Sequence, residues 1–585
     1  MVTRAWVFPE EVPPGRVQDL ARRLRVPPLV ARTLIRRGLA DPEEASRFLE
    51  PAMANLHDPD LFRDMEKACH RIHQAIRRGE PILVHGDYDC DGITSTALLH
   101  QVLDLLGARV SWHIPNRLTE GFSFSPAVLE RVKREGFRLC VTVDNGTNAN
   151  EEIGALVDSG CQVIVTDHHE PGRELPPAMA LINPKLEGCS YPFPGLAGVG
   201  VAFKLAWGLA RVASGSRRVT PPLRRFLLQA MGWTALGTVA DVVPLLEENR
   251  VFLRHGLPVL SRSPGPGLEA LMEVCNLTGR EITARDVAFR LAPRINAAGR
   301  MGSAEKALEL LLARSREEAL PLALALDQAN KARRSVEQRI LKEAREMLAA
   351  RPDLAEAPVL LLAREGWHFG VVGIVAARLC EELGKPVALC AIEKDRARGS
   401  ARSPEGFPIH KILEKAGDLL LSHGGHARAA GLSFEPALLE ALRERLAEAG
   451  AEMEGTAPPL YLDAKVELGE ITPEVVRALQ KLGPHGSSNP PPVFAGCDLV
   501  VAGHPWVTGY GGRDLSFLVR QKEVVLEARV PQGARRMAGR ISRGMRLSLA
   551  FTPSLSYQRK SVEILVEDIQ EQNGKDPLTK EIRIQ

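Results

Sequence analysis

A short acidic segment, HGDYDCDGITS, contains the residues of this 585-residue chain whose types and spacing best fit catalysis. It places His85, Asp87, Asp89 and Asp91 close together, directly after the apolar run PILV. Carboxylate oxygens and an imidazole nitrogen are ligands for divalent cations, and Gly92 permits a tight turn. Taken alone, the segment also fits a solvated acidic turn in which an aspartate caps a helix, so both interpretations stay open.

Five further side chains of the same chemistry follow apolar runs. Asp144 comes after LCVTV, Asp167, His168 and His169 come after QVIVT, and Asp241 lies within LGTVADVVPL. Because a buried aspartate needs a partner and adjacent histidines point to different sides, a polar metal site accounts for these residues better than core histidines do. The donor set favours Mn²⁺ or Mg²⁺ over a thiolate-bound metal. Two such ions would activate a water and stabilise the leaving oxygen in phosphoester hydrolysis.

A sheet must position these residues, because each acidic segment follows a short β-branched run. Helical spacing separates the runs, as in ITSTALLHQVLDLLG after the first, and strands alternating with helices predict a mostly parallel sheet. The carboxyl ends of parallel strands lie along one edge, so the acidic segments can converge on one crevice. The sequence therefore predicts an α/β fold with a catalytic domain over residues 51–314.

The rest of the chain divides by composition and periodicity. The remaining predicted segments are a helical lead-in at 1–50, one long charged connecting helix at 315–350, a second α/β domain at 351–452, a β-barrel or sandwich at 453–572, and a loose tail at 573–585. The barrel prediction rests on short strands separated by Gly-rich turns. A polar helix of that length often bridges two domains.

Bulk composition is that of an ordinary globular protein, with 45% hydrophobic residues, 25% charged residues and a net charge of +3. That charge permits a nucleic-acid partner but does not argue for one. Nine single cysteines form no CxxC pair, which argues against zinc ribbons and fits reduced thiols in the cytosol. The first residues lack the apolar run of a signal peptide, and no segment is apolar enough to span a membrane. We therefore expect a cytoplasmic protein.

The acidic segments resemble, in order and context, the motifs of the DHH phosphoesterase superfamily. The motifs are HGDYDCDGITS, VDNG, TDHH and GTVADVVPL in the first half, and GWHFGVVGIVAARL, RGSARS and GGHARAAGL in the second. They occur in this order over roughly residues 45–500, and the later three resemble the DHH-associated domain. The resemblance implies a parallel-sheet DHH domain and a second α/β DHH-associated domain, joined by a long helix and followed by a C-terminal OB-like β-barrel. The full set looks like the single-strand-specific exonucleases of bacteria.

The resemblance also implies metal-binding and catalytic roles. The implied metal ligands are His85, Asp89, Asp91, Asp144, His168 and Asp241. The implied catalytic residues are Asp89, Asp91, Asp144, His168, His169 and Asp241. Asp167 would support the ligand histidines from behind, and Asp87 would either bind metal or support a ligand. The implied cofactor is Mn²⁺ or Mg²⁺, with two ions in each active site.

A terminal 5′-phosphate is expected at Arg117, Ser400 and Arg402, again by resemblance. A guanidinium fork binds phosphate through two hydrogen bonds, and a serine hydroxyl adds a neutral donor. Without the family context, a surface salt bridge and a turn hydroxyl would explain the same residues. The resemblance therefore carries this prediction.

Four more residues are candidate DNA contacts. Arg294, Asn296 and Arg300 belong to APRINAAGRM, which looks like a substrate-facing loop; pairing of the arginines with carboxylates is the alternative. His426 lies in GGHARAAG, where the small residues fit either a close approach to phosphate or tight packing of helix on sheet.

Three segments depart from the family pattern. GFSFS stands at 121–125 where the family has Gly-Tyr-Gly, which leaves Phe122 and Phe124 as aromatic faces for a base. Phe369 replaces a proline in GWHFG, and His485 replaces an aromatic residue in LGPHGSSNP.

The function implied by the resemblance is a metal-dependent 5′-to-3′ exonuclease that hydrolyses single-stranded DNA to mononucleotides in repair and recombination. The alternative is a small-substrate phosphoesterase acting on oligoribonucleotides or cyclic dinucleotides, although such relatives generally lack the added β domain. A non-catalytic scaffold would have lost ligands, and this sequence keeps the full set. The implied partners are single-stranded DNA with a 5′ end, a helicase and a single-strand-binding protein, with no membrane contact and a monomeric state.

Overall fold

The apolar runs before the acidic segments are strands of one sheet in a computed structural model of the chain. The structure describes residues 4–8, 10–117, 120, 124–302, 304–453, 459–509, 511–537, 539–556 and 561–571. In spatial order the strands are Arg109–His113, Pro81–Gly86, Leu139–Val143, Gln162–Thr166 and Ala180–Ile182. All four pairings are parallel, as the sequence predicts, so the carboxyl ends of the strands share one edge of the sheet.

Helices cover this sheet and extend the first domain. They are Met65–Arg78, Cys90–Leu105, Pro126–Glu135, Asn150–Asp158, Gly198–Ser214, Pro221–Ala240, Glu247–Arg262, Pro266–Val274, Ala284–Asp286, Ala292–Arg300 and Ala304–Leu312, with a π-helical turn at Val287–Leu291 and a 3₁₀ turn at Pro59–Leu61. Cys90–Leu105 is buried over most of its length and packs against Gly198–Ser214 and Pro221–Ala240. Burial on several sides explains why its apolar residues form no single stripe.

A 35-residue helix, Arg316–Ala350, follows, close to the predicted 315–350. Its N-terminus is capped by Ser315, whose hydroxyl accepts a hydrogen bond from the amide of Glu318. The sequence predicts that Pro321 ends or kinks the helix early, but the helix continues through it. A proline this close to the N-terminus removes only one backbone hydrogen bond, which the remaining turns tolerate.

The second α/β domain contains a mixed sheet. In spatial order its strands are Ser422–Gly425, Ala429–Phe434, Arg396–Arg402, Val387–Glu393 and Leu360–Glu365, and only the last two are parallel to each other. Its helices are Pro352–Glu356, Phe369–Leu383, Ile409–Glu414 and Leu439–Ala451, with 3₁₀ turns at Gly417–Leu419 and Pro436–Leu438. The predicted second α/β domain is therefore present.

The C-terminal strands close into a barrel. The order is Ala464–Lys465, Phe494–Val501, Arg546–Leu555, Val562–Glu571, Val524–Val530, Asp514–Gln521 and Trp506–Thr508. Phe494–Val501 pairs with Arg546–Leu555 on one side and with Asp514–Gln521 on the other, which closes five strands on themselves. Closure removes the open sheet edges, and the predicted OB-like barrel is confirmed. The predicted tail at 573–585 lies outside the described residues.

The N-terminal helices share a hydrophobic core with the barrel. They are Pro14–Leu24, Pro28–Arg36 and Pro42–Leu49; the same unit contains the strands Trp6–Val7 and Leu460–Tyr461, the helices Pro473–Gln480 and Gly533–Arg536, and 3₁₀ turns at Met53–Asn55 and Leu468–Glu470. Leu34 packs in one core with Phe517 and Phe551. This unit comprises the described residues of 4–56, 244–251 and 459–571, and a second unit comprises 57–243 and 252–453.

A buried arginine fastens the short segment 244–251 within the first unit. The Arg250 guanidinium, 1% exposed, donates hydrogen bonds to the carbonyl oxygens of Phe48, Leu482 and Gly483. It also lies 3.8 Å from the centre of the Phe48 ring. A buried cation is tolerated here because carbonyl oxygens and a ring face surround it.

Two expectations from the sequence concern the cysteines, expected to be unpaired, and the helices, none of which was expected to span a membrane. The nine cysteines are all unpaired thiols, and all but Cys189 are buried. Among the described residues, every helix is too short or too polar to cross a membrane.

Candidate active site

The turn after Pro81–Gly86 holds three aspartates in fixed positions. The Asp89 carboxylate caps the next helix by accepting hydrogen bonds from the amides of Asp91 and Gly92, at 3.0 and 3.2 Å. A Cβ atom at Gly92 would lie 2.5 Å from the Asp87 carbonyl oxygen, so the tight turn requires glycine. Asp89 therefore caps the helix, as one of the two interpretations of this motif holds. The same carboxylate can also bind a metal, because both amides donate to one of its oxygens.

Asp144 and His168, from the next two strands, meet at the same edge. The Asp144 Oδ1 and His168 Nε2 atoms lie 3.1 Å apart. Asp144 follows its strand with φ +62°, a left-handed conformation that aspartate tolerates better than most residues, and its amide donates to the Thr166 carbonyl. His168 Nε2 also lies 3.8 Å from an Asp91 oxygen and 3.6 Å from an Asp241 oxygen. The sheet and the end of the helix Pro221–Ala240, where Asp241 lies, bring together four segments far apart in sequence.

Six predicted site residues form what we name the ligand cluster. It combines two groups, in each of which one ligand atom per residue lies within 4.8 Å of the others: Asp87, Asp89 and Asp144, and Asp91, His168 and Asp241. A third group of the same kind joins Asp144 and His168 to Asp167 and His169. His85 is not part of these groups. Its ring is fully buried at the strand end and stacks on Phe124, with centroids 4.0 Å apart. Phe122, the other aromatic residue predicted there, lies outside the described residues.

Backbone amides orient Asp91. Its two carboxylate oxygens accept hydrogen bonds from the amides of Gly198 and Val199, at 2.7 and 2.9 Å. These amides open the helix Gly198–Ser214, where unsatisfied N–H groups favour an anion. These two amides were not predicted, and only the small-residue run AGVGVA indicates a close approach of the backbone here. A Cβ atom at Gly198 would lie 2.5 Å from Asp144 Oδ1, so glycine is required beside the cluster.

Asp167, the predicted supporting group, contacts His169. An Asp167 oxygen accepts a hydrogen bond from His169 Nδ1 at 2.7 Å, and the other accepts one from the Thr147 amide at 2.9 Å. Burial acts to raise the pKa of the Asp167 carboxyl, but the hydrogen bond and charge of His169 bring that pKa below its usual value. The same hydrogen bond raises the pKa of His169 to about 9. His169 is therefore a cation near neutral pH, with its side chain half exposed.

Burial and crowding perturb the rest of the ligand cluster. Burial and the nearby Asp91 and Asp89 raise the pKa of Asp241 to about 8, and burial and the charge of Asp89 raise that of Asp91 to about 7. Burial together with Asp91 raises the pKa of Asp144 well above its usual value. Burial and the charge of His169 lower the pKa of His168 to about 4. The result is a neutral imidazole among carboxylates that repel one another.

Several buried atoms at the sheet edge have no hydrogen-bond partner among the described residues. They are His85 Nδ1 and Nε2, Asp144 Oδ1 and His168 Nε2. Buried polar atoms are almost always satisfied, so such a group of orphans calls for an explanation. A divalent cation would satisfy His168 Nε2 and Asp144 Oδ1 together and neutralise the carboxylates, so the residues present fit Mn²⁺ or Mg²⁺.

Arg117, Ser400 and Arg402 form a second site, which we name the arginine pocket. The Arg402 guanidinium donates to the Ser400 hydroxyl. Arg117 and Arg402 both face the helix Phe369–Leu383: the Arg117 guanidinium carbon lies 6.0 Å from the centre of the Phe369 ring, and a guanidinium nitrogen of Arg402 would lie 3.3 Å from a Cβ atom at Gly373. Burial, and then the charge of Arg117, lower the pKa of Arg402. The Arg117 guanidinium carbon lies 5.1 Å from the centre of the Tyr88 ring, and Tyr88 belongs to the turn that supplies the cluster. The pocket therefore adjoins the cluster.

The remaining candidate DNA contacts differ in their surroundings. The Arg300 guanidinium donates a hydrogen bond to the Gly370 carbonyl at 3.3 Å, and burial and the charge of Arg117 lower its pKa to about 10. The Arg294 guanidinium pairs with the Asp327 carboxylate at 2.8 Å, the alternative that the sequence left open. Asn296 accepts a hydrogen bond from the Cys90 amide at 2.7 Å and so braces the acidic turn. His426 lies exposed between Ser422–Gly425 and Ala429–Phe434.

Comparison with known proteins agrees with this architecture. Three family models match in order: the DHH family N-terminal domain over residues 81–231, the DHHA1 domain over 356–452 and the RecJ OB domain over 462–568. The match to the OB domain also covers the segment with His485, one of the departures noted above. The match to the family's domain order therefore extends through the barrel.

Individual relatives cover most of the chain. The single-stranded-DNA-specific exonuclease RecJ of Bacillus subtilis is 38% identical over 82% of this chain, which spans 59% of that protein's length. RecJ of Salmonella typhimurium is 36% identical over 80% of this chain and 83% of its own length. The crystal structure of RecJ from Thermus thermophilus in complex with Mn²⁺ superposes with a TM-score of 0.81 and 32% identity, covering 97% of this chain and 80% of that one. Similarity of this extent, together with the three family models, shows that the chain belongs to the RecJ family of DHH proteins.

Proposed function

We propose that this chain hydrolyses single-stranded DNA from a 5′ end and releases mononucleotides, with divalent cations bound at the ligand cluster. Its relatives are named single-stranded-DNA-specific exonucleases, and one was crystallised with Mn²⁺. The observation that carries the proposal is the adjacency of two sites. One segment supplies three carboxylates of the cluster, Asp87, Asp89 and Asp91, and through Tyr88 it contacts Arg117 of the arginine pocket.

Two cations fit the ligand cluster better than one. Its six residues supply two groups of three ligand atoms, and Asp144 of one group lies beside His168 of the other, in a third group that also includes Asp167 and His169. Bound divalent cations supply a nucleophile at neutral pH and neutralise charge on the phosphoryl oxygens. Asp87 lies among the ligand atoms, which favours a direct role for it over a supporting one. His85, with both ring nitrogens unpaired among the described residues, is the remaining proposed ligand.

His169 binds the scissile phosphate in this proposal. Its Nδ1 is engaged by Asp167, so Nε2 of the half-exposed ring is the nitrogen that remains for a ligand. A positively charged imidazole donates a charge-assisted hydrogen bond to a phosphoryl oxygen. Asp167 fixes the orientation of the ring, since its own carboxylate is held by the Thr147 amide. His169 thus acts on the substrate directly, and Asp167 is a positioning residue.

The arginine pocket binds the terminal 5′-phosphate. Arg117 and Arg402 supply guanidinium donors and Ser400 a hydroxyl, which suits a phosphate monoester with two charges. Arg300 adds a fourth group near the same site. Anchoring the end beside the cluster explains a 5′-to-3′ direction, because the first phosphodiester bond then reaches the cluster. The barrel, matched as a RecJ OB domain, is the proposed binding surface for the rest of the strand.

The comparisons give no support to the small-substrate phosphoesterase, because the relatives that match most of the chain are all named for single-stranded DNA. A helicase and a single-strand-binding protein as partners, a monomeric state, a cytoplasmic location and a role in repair and recombination remain predictions. They rest on the resemblance to the family.

The test uses a single strand labelled at either end, beside the matching duplex, with Mn²⁺ or with a chelator. We expect progressive loss from the 5′ end of the single strand, mononucleotide products, and no hydrolysis in chelator. Loss from the 3′ end, equal hydrolysis of the duplex, or activity that survives chelation would refute the proposal. Rapid cleavage of di- to pentanucleotides beside stable long strands would instead favour the small-substrate enzyme.

A further inference from the structure

The strand Arg396–Arg402 presents alternate side chains to one face. Its small residues Ala397 and Ala401 are buried in the core, whereas Arg398, Ser400 and Arg402 are half-exposed. Alternation is the ordinary geometry of a strand, with about 6.6–6.8 Å between neighbours on one face. Arg398 is therefore the neighbour of Ser400 on the side away from Arg402.

The helix Phe369–Leu383 packs against this strand, and its Gly373 faces Ser400 and Arg402 of the arginine pocket. A Cβ atom at Gly373 would lie 3.1 Å from Ser400 Oγ and 3.3 Å from a guanidinium nitrogen of Arg402. Contacts this short are tighter than most, so a larger residue would push these two groups away. Glycine at this position keeps the pocket open beside the helix.

One turn earlier, Phe369 fills the corresponding space. The centre of its ring lies 4.5 Å from the guanidinium carbon of Arg398 and 6.0 Å from that of Arg117. The ring is therefore within cation–π distance of one cation of the arginine pocket and of one cation outside it. Guanidinium groups at these distances are attracted to the ring face, so the cations and the ring hold one another in place.

We propose that Phe369 is the end wall of the arginine pocket and restricts the enzyme to strands that end in a single 5′-phosphate. This inference rests on the proposed function, because it assumes that the pocket binds the terminal phosphate. A second phosphoryl group on that phosphate would extend away from the strand and meet an apolar ring. The ring offers the group no hydrogen bond in exchange for its water, so a diphosphate or triphosphate end binds poorly.

Arg398 lies behind the wall. Within the described residues it has no ion pair to a carboxylate, and the Phe369 ring covers its guanidinium. Removing the ring would expose this cation to the pocket. A variant with a small residue at this position should therefore gain activity on a polyphosphorylated end, which loss of folding or of catalysis does not produce.

The experiment compares two single strands that differ only in a 5′-monophosphate or a 5′-triphosphate end. For each protein, kcat/KM is measured on both strands with Mn²⁺, and the ratio of triphosphate to monophosphate is compared. The variants are Phe369→Ala, Phe369→Leu and the double variant Phe369→Ala with Arg398→Ala. The control is Phe289→Ala, which removes another ring paired with an arginine: Phe289 is 68% exposed, and Arg285 lies 6.0 Å from its ring centre.

We expect the unmodified protein to favour the monophosphate strand by at least about tenfold, since one charge-assisted hydrogen bond is worth that much. Phe369→Ala should raise the ratio by about tenfold and Phe369→Leu by less, while the double variant should show no such rise. Phe289→Ala should match the unmodified protein on both strands.

Equal hydrolysis of the two strands by the unmodified protein would overturn the end wall, as would an unchanged ratio in both single variants. If the double variant keeps the gain, Arg398 is not the cation that the ring hides, and that part of the proposal fails. Failure of the unmodified protein on the monophosphate strand itself would instead refute the proposed function, and the end wall with it. Thermal melting of each variant separates a change in specificity from a loss of folded protein.

Discussion

Replacing Asp144 with asparagine tests two effects of the ligand cluster separately. One is its contribution to hydrolysis, and the other is the loss of stability that its crowded carboxylates cause in the metal-free protein. Asp144 is 3% exposed, and asparagine has nearly the same shape and also tolerates its φ of +62°. We expect Asp144→Asn to fold and to lose hydrolysis by more than about 100-fold, because even groups behind metal ligands are worth about 10–100-fold. We also expect the metal-free variant to be more stable than the unmodified protein.

The gain in stability follows from the spacing of the carboxylates. Ligand oxygens of Asp87, Asp89 and Asp144 lie within 4.8 Å of one another. Two full charges at that distance repel by about 3–4 kcal/mol at an effective dielectric constant of about 20. We expect Asp144→Asn to recover part of this repulsion, about 1–3 kcal/mol. For a domain of this size that corresponds to a rise in Tm of about 2–10 °C.

Thermal melts in chelator and in Mn²⁺, beside hydrolysis assays, measure both effects. The matched control is Asp498→Asn, because Asp498 also has a left-handed φ, +56°, but lies exposed on the barrel. It should leave hydrolysis unchanged and the melt almost so. The reasoning is refuted if Asp144→Asn still hydrolyses DNA at close to the normal rate. It is also refuted if the variant melts well below the unmodified protein in chelator.

Three further predictions concern pH, the arginine pocket and the first unit. Burial raises the pKa of Asp91 to about 7 and of Asp241 to about 8, so the folded metal-free protein keeps protons that the unfolded chain releases. The free energy of unfolding of the metal-free protein should therefore fall as pH rises from about 5 to 8. Calorimetry should show the affinity for Mg²⁺ rising about tenfold per pH unit for each proton that the metal displaces. An affinity that does not depend on pH would contradict this prediction. Arg402→Ala should reduce the preference for a 5′-phosphate over a 5′-hydroxyl end by about tenfold in kcat/KM, and an unchanged preference would place the anchor elsewhere. Arg250→Ala leaves buried carbonyls without donors and should lower the free energy of unfolding in urea by about 3–5 kcal/mol; a loss below about 1 kcal/mol would show that water replaces the guanidinium.

The parallel sheet of the first domain could be predicted because the residues that indicate each strand are neighbours in the sequence. Each strand is a short β-branched run, and chain direction decides which end carries the polar residues. Asp144 and His168 could be placed at one edge from the alternation of strands and helices alone. The identity of the edge follows from the rule that parallel strands point the same way.

Contacts between distant segments could not be read from local pattern. Asp91 depends on the amides of Gly198 and Val199, which are 107 and 108 residues away. Arg250 reaches a carbonyl 202 residues away. Residue types do not show which backbone amide donates to a distant side chain. Nor do they distinguish an arginine that binds carbonyl oxygens from an arginine that binds DNA. Arg294 shows the same ambiguity, since its carboxylate partner lies on another helix.

The contacts around Arg117 suggest why an enzyme of this kind would release one nucleotide at a time. The Arg117 guanidinium carbon lies 5.1 Å from the centre of the Tyr88 ring and 6.0 Å from that of Phe369, and the Phe369 ring centre lies 4.5 Å from the guanidinium carbon of Arg398. This row of rings and guanidinium groups joins the turn that carries the ligand cluster to the strand that carries the arginine pocket. Anchor and cluster are therefore related by direct contacts and not by a long loop. On the proposed function, such a fixed separation determines the length of the product, because only one phosphodiester bond can reach the cluster while the end is bound.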